Sequence, residues 1–120
     1  MYEGCAIDYR GADVTPQNFI NVMLGDRKAM KGVGTGKVLV GDPDAKVFVN
    51  FVDHGATGLI AFPDDYMYAD TLIETIGNMS AKHMYGQMVM YIEACESGSM
   101  FDGLLPNNTE VYVTTAADPY

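Results

Sequence analysis

Apolar and polar positions change their period several times along the chain, and each change marks an element. Thr15-Pro16 opens the first. A threonine accepts from the free N–H groups of a helix start, and proline at the first helical position loses nothing by lacking its own N–H. Phe19, Val22 and Met23 then share one face at three- and four-residue spacing. Gly25-Asp26 weakens that helix, and the glycines from Gly32 to Gly36 end any continuation. Residues 1–14 read as irregular.

Val47-Phe48-Val49-Asn50-Phe51-Val52 follows a different rule: short, β-rich and nearly continuously apolar, as a strand buried on both faces would be. It stops at Asp53-His54-Gly55. Gly58-Leu59-Ile60-Ala61-Phe62 is a shorter strand candidate, closed by Pro63-Asp64-Asp65. Asp70 is expected to cap a helix whose apolar positions are Leu72, Ile73, Ile76 and Met79. Gln87 to Ile92 forms another predicted strand, ending at Glu93-Ala94-Cys95, and Val111 to Thr115 one more.

This order predicts an α/β fold with a mostly parallel sheet, the helix over 70–82 serving as the crossover that parallel strands require. In such sheets, sites form at the carboxyl ends of the strands. His54 and Cys95 both fall just past a strand's carboxyl end. If those two strands are neighbours, the side chains converge on one edge of the sheet.

Composition narrows the function. The 120 residues suit one domain, and 48% hydrophobic content supports a real core. The formal charge is −9, with 16 acidic residues against 7 basic ones. Such a surface repels phosphate backbones and anionic lipids, so neither nucleic acid nor membrane is expected as a partner. No window approaches the roughly 18 apolar residues of a membrane span. The first residues carry neither a basic start nor an apolar run, so no signal peptide is expected in them. An acidic surface also suits an acidic compartment, where partial protonation relieves self-repulsion.

The chain has two cysteines, too far apart in sequence for a small disulfide scaffold. Cys5 reads as a bystander in a Gly-Ala-flanked stretch. Cys95 lies 41 positions after His54. A thiol and an imidazole, each at a strand end, are the minimum kit for nucleophilic acyl transfer. Caspases place a histidine about 50 residues before a Gln-Ala-Cys-x-Gly signature. Glu93-Ala94-Cys95-Glu96-Ser97-Gly98 has a close but not identical layout. Gly55 lets the backbone approach a substrate closely, and its N–H can face a developing oxyanion. Ser97-Gly98-Ser99 could start a helix that favours the thiolate, whereas the charges of Glu93 and Glu96 oppose it. The thiol is then expected to depend on charged His54, which favours work below neutral pH. Singly, a strand-end cysteine is usually a small hydrophobe and a histidine before glycine a turn residue. Their matched positions favour the chemical reading.

Other signals carry less. Gly32-Val33-Gly34-Thr35-Gly36-Lys37 lacks the opening glycine of a phosphate-binding loop, and Val38 stands where a magnesium-binding hydroxyl is needed. The histidines, cysteines and carboxylates show no zinc-ligand spacing, so no metal and no cofactor is expected. Met84, Met88 and Met90 read as core filler. Asn78-Met79-Ser80 and Asn107-Asn108-Thr109 are glycosylation sequons, meaningful only on a secretory route.

Three stretches together resemble a known family: Asp8-Tyr9-Arg10-Gly11-Ala12-Asp13-Val14-Thr15-Pro16-Gln17-Asn18-Phe19, Asp53-His54-Gly55-Ala56-Thr57-Gly58, and Tyr91-Ile92-Glu93-Ala94-Cys95-Glu96-Ser97-Gly98-Ser99-Met100. From Tyr2 to Pro119 the chain is similar to the legumain family of cysteine endopeptidases, the asparaginyl endopeptidases of lysosomes and plant vacuoles. The related glycosylphosphatidylinositol transamidase subunit shares the His-Gly and Cys layout but not the Glu-Ala-Cys-Glu-Ser-Gly-Ser run. The resemblance implies a caspase-like α/β/α sandwich and cleavage after Asn, weaker after Asp at acid pH. It implies His54 as general acid/base, Cys95 as nucleophile and Gly55 as oxyanion donor. Asp53 and Glu93 match acidic residues around the family's Asn-specific pocket. It further implies peptide or protein substrates, cystatin-type inhibitors, and a lysosomal or vacuolar setting. The stretch corresponds to the middle of the family's catalytic domain. Residues 1–120 are therefore expected to form a single partial domain, with a sheet incomplete at both ends. An orienting Asn and a pocket Arg are expected upstream, and pocket serines after Tyr120. A non-catalytic remnant that binds peptides, and a transamidase or peptide ligase, are the alternative readings.

Overall fold

A computed structural model describes residues 3–106 and 108–119. Thr15 caps the first helix, α1 (Pro16–Met23): its side chain accepts the Asn18 N–H at 3.1 Å, and Pro16 occupies the first turn. The helix stops at Leu24, and Gly25 follows in the left-handed conformation that glycine adopts without strain. Before it, residues 3–14 are irregular except for a short 3-10 turn, Gly11–Asp13.

Three strands form the main sheet: β1 (Lys46–Val52), β5 (Gln87–Glu93) and β6 (Val111–Thr115). Their order is β1-β5-β6 and every pairing is parallel. Between β1 and β5 the chain builds a small antiparallel sheet from β2 (Gly55–Ala56), β3 (Leu59–Ala61) and β4 (Tyr66–Tyr68). It then crosses back through α2 (Ala69–Ala81). The α/β class, the parallel main sheet and the crossover helix are as expected.

Register explains the core. Val47, Val49 and Phe51 of β1 pair with Met88, Met90 and Ile92 of β5, and these with Val111, Val113 and Thr115 of β6. Because side chains alternate along a strand, all these residues lie on one face. Leu72, Ile76 and Met79 of α2, Met23 of α1, and Ile60 and Met67 of the small sheet pack with them in one cluster. The methionines read as filler do lie there: Met84, Met88 and Met90 are all buried.

Three expectations need correction. The β1 run reads as buried on both faces, yet Phe48 and Val52 are 62% and 67% exposed. Both helices and the small sheet pack on the inner face, and among the described residues nothing covers the outer one. Phe48 and Tyr91 meet there edge-to-face, with ring centroids 5.1 Å apart. The strand predicted at 58–62 belongs to the small antiparallel sheet, because Pro63 to Asp65 turn it back onto β4. The α2 cap is Tyr68 without a side-chain bond; Asp70 sits inside the first turn, and its carboxylate accepts the Thr71 N–H at 2.7 Å. No helix among the described residues is long and apolar enough to cross a membrane. Asn78 is exposed, whereas Asn107 of the second sequon lies outside the described residues.

Candidate active site

β1 and β5 are neighbours in register, with Val52 opposite Glu93. The ladder continues one step further, as the Asp53 N–H donates to the Glu93 carbonyl at 3.1 Å. His54 and Cys95 therefore each lie two positions beyond adjoining strand ends, and both are exposed. The convergence expected of neighbouring strands requires this adjacency, and the register supplies it.

Beyond the ladder the two chains diverge. His54 leads into β2, and its carbonyl accepts the Ala61 N–H at 2.8 Å, which anchors it to the end of β3. Gly55 is pressed against the cysteine turn. A Cβ there would lie 2.7 Å from the Cys95 carbonyl oxygen and 3.0 Å from the Ala94 Cβ. Glycine is thus demanded by the approach of the cysteine turn, a contact that no sequence signal indicated.

After Cys95 the backbone turns sharply. Glu96 is left-handed, with φ 51° and ψ 27°, a conformation that non-glycine residues adopt at a cost. Ser97 is then fully buried while Cys95 points to solvent as a free thiol. The expected helix after the thiol is only a four-residue 3-10 turn, Ser97–Met100. So short a turn has no developed dipole to favour the thiolate. It is held from below: the Gly98 N–H donates to the Ala117 carbonyl at 3.0 Å. A Cβ at Gly98 would lie 2.8 Å from the Pro119 backbone nitrogen.

Asp53 and Glu93 lie at the same strand end, both exposed. The Asp53 carboxylate accepts the His54 backbone N–H at 2.7 Å. With Glu96 they make three acidic residues within this strand end and the turn that follows it. Three residues that sequence reasoning passed over complete the picture. Thr57 donates its hydroxyl hydrogen to the Glu96 carboxylate. The Gly58 N–H donates to Ser99 Oγ at 2.7 Å, and that hydroxyl donates to the Glu96 carbonyl at 2.6 Å. Among the described residues, no three His, Cys, Asp or Glu side chains cluster as a metal site would need.

The whole chain, residues 1–120, matches the family model of the Peptidase C13 family. The chain belongs to that family. This C13 chain is 53% identical to human legumain over 119 residues, which is 99% of the chain and 27% of the relative. It is 47% identical to the hemoglobinase of Schistosoma japonicum over 118 residues, 98% of the chain and 27% of the relative. It is 45% identical to the vacuolar-processing enzyme beta-isozyme of Arabidopsis thaliana over 119 residues, 98% of the chain and 24% of the relative. The C13 chain thus spans about a quarter of the length of these curated relatives.

Proposed function

We propose that the chain carries the nucleophilic half-site of a legumain-type cysteine endopeptidase, with Cys95 as nucleophile and His54 as general acid/base. The observation that supports this most directly is the β1–β5 register, which puts His54 and Cys95 each two positions past adjoining parallel strand ends. The Cys95 thiolate attacks the scissile carbonyl, and the electron pair moves to the oxygen. The Gly55 N–H donates to that oxyanion. Collapse breaks the C–N bond while the His54 imidazolium gives its proton to the departing amine, leaving an acyl-enzyme. Water then attacks as His54 takes its proton, releasing the acid and the thiolate.

The substrate class is a peptide or protein with Asn at the scissile position. Asp53 and Glu93, at the same strand end, accept from its side-chain amide N–H₂. An Asp substrate lacks that donor and brings a repelling charge, so it is cut only when acid pH protonates it. Lysosome or vacuole is the matching compartment, supported by the names legumain and vacuolar-processing enzyme among the relatives.

The test is to treat the purified chain at mildly acid pH with a peptide electrophile carrying Asn, and to locate the label by mass spectrometry. Labelling confined to Cys95, absent in Cys95→Ala and weak with a Gln-bearing analogue, is the expected result. Label shared evenly between Cys95 and Cys5 would overturn the assignment.

A further inference from the structure

The backbone ladder aligns β1 with β5 only as far as Asp53 and Glu93. Past that point the histidine and the cysteine belong to separate turns, and their relative position needs another restraint. Two side-chain contacts cross the gap, one spanning 39 positions of sequence and the other 41. Thr57 bonds the Glu96 carboxylate, and Ser99 takes the Gly58 N–H. Both partners on the cysteine side bear on one residue. Ser99 gives its hydroxyl hydrogen and its N–H to the Glu96 carbonyl, at 2.6 and 2.9 Å.

Glu96 directly follows the thiol and holds a left-handed backbone, which persists only where its surroundings over-determine it. Here Ser99 fixes its carbonyl and Thr57 its carboxylate. On the histidine side, the turn at 56–58 cannot shift alone. The Gly58 carbonyl accepts the Ala69 N–H at 2.9 Å, and the Ala61 N–H binds the His54 carbonyl. A continuous chain of bonds therefore runs from His54 through the hairpin to Glu96 and Cys95. Thr57 is exposed, so its bond adds little to stability and its consequence is geometric.

We infer that Thr57 and Ser99 are positioning residues that latch the His54 hairpin to the Cys95 turn and set the spacing of base and nucleophile. The inference rests on the Cys–His reading above. It touches no reacting atom; it acts through the two turns.

Cys5, exposed in the same chain, gives the test an internal reference. The wild-type chain and its variants are treated with limiting iodoacetamide at mildly acid pH, and alkylation of Cys95 and Cys5 is resolved by mass spectrometry. In the wild type, Cys95 reacts faster than Cys5. Because a 1 Å misplacement costs up to about a hundredfold, Thr57→Val and Ser99→Ala are expected to lower the Cys95-to-Cys5 ratio roughly tenfold. Thr57→Ser, which keeps the hydroxyl, restores it, while the Cys5 rate and the melting temperature stay unchanged. Hydrogen exchange at the Gly58 amide accelerates in Ser99→Ala. Should Ser99→Ala not fold, the exposed pair Thr57→Val and Thr57→Ser carries the comparison. A fast Cys95 in wild type with an unchanged ratio in Thr57→Val overturns the latch alone. A wild-type ratio near one overturns the Cys–His reading and the latch with it.

Discussion

Replacing Gly55 by alanine adds one methyl group where the histidine hairpin meets the cysteine turn. The new Cβ would lie 2.7 Å from the Cys95 carbonyl oxygen, 3.0 Å from the Ala94 Cβ and 3.3 Å from the Leu59 carbonyl oxygen. Carbon–oxygen contacts normally settle at about 3.3–3.6 Å, so the two turns must separate by roughly 0.6 Å. None of the three neighbours is the free end of a flexible side chain. Gly55 is not left-handed, so the cost is steric rather than conformational. Overpacking of this kind costs about 1–3 kcal/mol. With an unfolding entropy of about 2.1 cal/mol/K per residue, ~2 kcal/mol lowers the melting temperature of a chain this long by about 8 °C.

The chemical effect of the same separation is larger. A shift of 1 Å between reacting groups costs up to about a hundredfold, so labelling of Cys95 by the Asn-bearing electrophile is expected to fall roughly tenfold. Thermal melts followed by circular dichroism give the first quantity, and time-resolved mass spectrometry gives the second. A Gly55→Ala chain that melts within about 1 °C of wild type and labels at the wild-type rate would refute the reasoning, because the contact would then be slack.

Tyr85 supplies a pH-dependent prediction. It is buried, and its hydroxyl donates to the Thr109 carbonyl at 2.6 Å. Burial holds its pKa above the ordinary 10.0; a hydrogen bond with Ser80 works against this, and the charge of Glu110 adds a smaller upward push. A raised folded-state value means that its contribution is full below the ordinary value and is lost as pH rises through the folded one. Urea titrations should therefore show a loss of stability in that alkaline window that Tyr85→Phe lacks. At neutral pH Tyr85→Phe should cost about 1–3 kcal/mol, since Thr109 keeps an unpaired carbonyl; a neutral effect with an unchanged alkaline limb would refute it. Thr15→Ala should cost about 1 kcal/mol of stability through loss of the α1 cap, with Thr15→Ser close to wild type; equal melts for the two would show that the cap is idle.

Much of the architecture is legible in local pattern. The cap at Thr15, the strands at β1, β5 and β6 and the span of α2 follow from spacing within a dozen residues, where a side chain and its own backbone settle the outcome. The position of His54 and Cys95 just past strand ends is legible too, because parallel topology puts every carboxyl end on one edge. The corrections have a common cause. Asp70 has the residue type of a cap, but the chain entering from β4 already has Tyr68 in extended geometry. Leu59 to Ala61 has strand composition, but composition carries no partner, and the turn at 63–65 decided for β4. The apolar run of β1 suggests two covered faces, whereas all the packing mass in these residues lies on one.

By itself, then, the sequence determined the main elements, the parallel character of the main sheet and the two residues on which the proposed chemistry turns. These depend on periodicity, capping and topology, which are properties of short stretches or of their succession. The tertiary structure alone decided how the histidine hairpin meets the cysteine turn. The left-handed Glu96, the contacts of Thr57 and Ser99 across 39 and 41 positions, and the close fit of Gly55 against Cys95 exist only once β1 and β5 are paired. No local signal encodes them, because each is a meeting of two surfaces that are strangers along the chain.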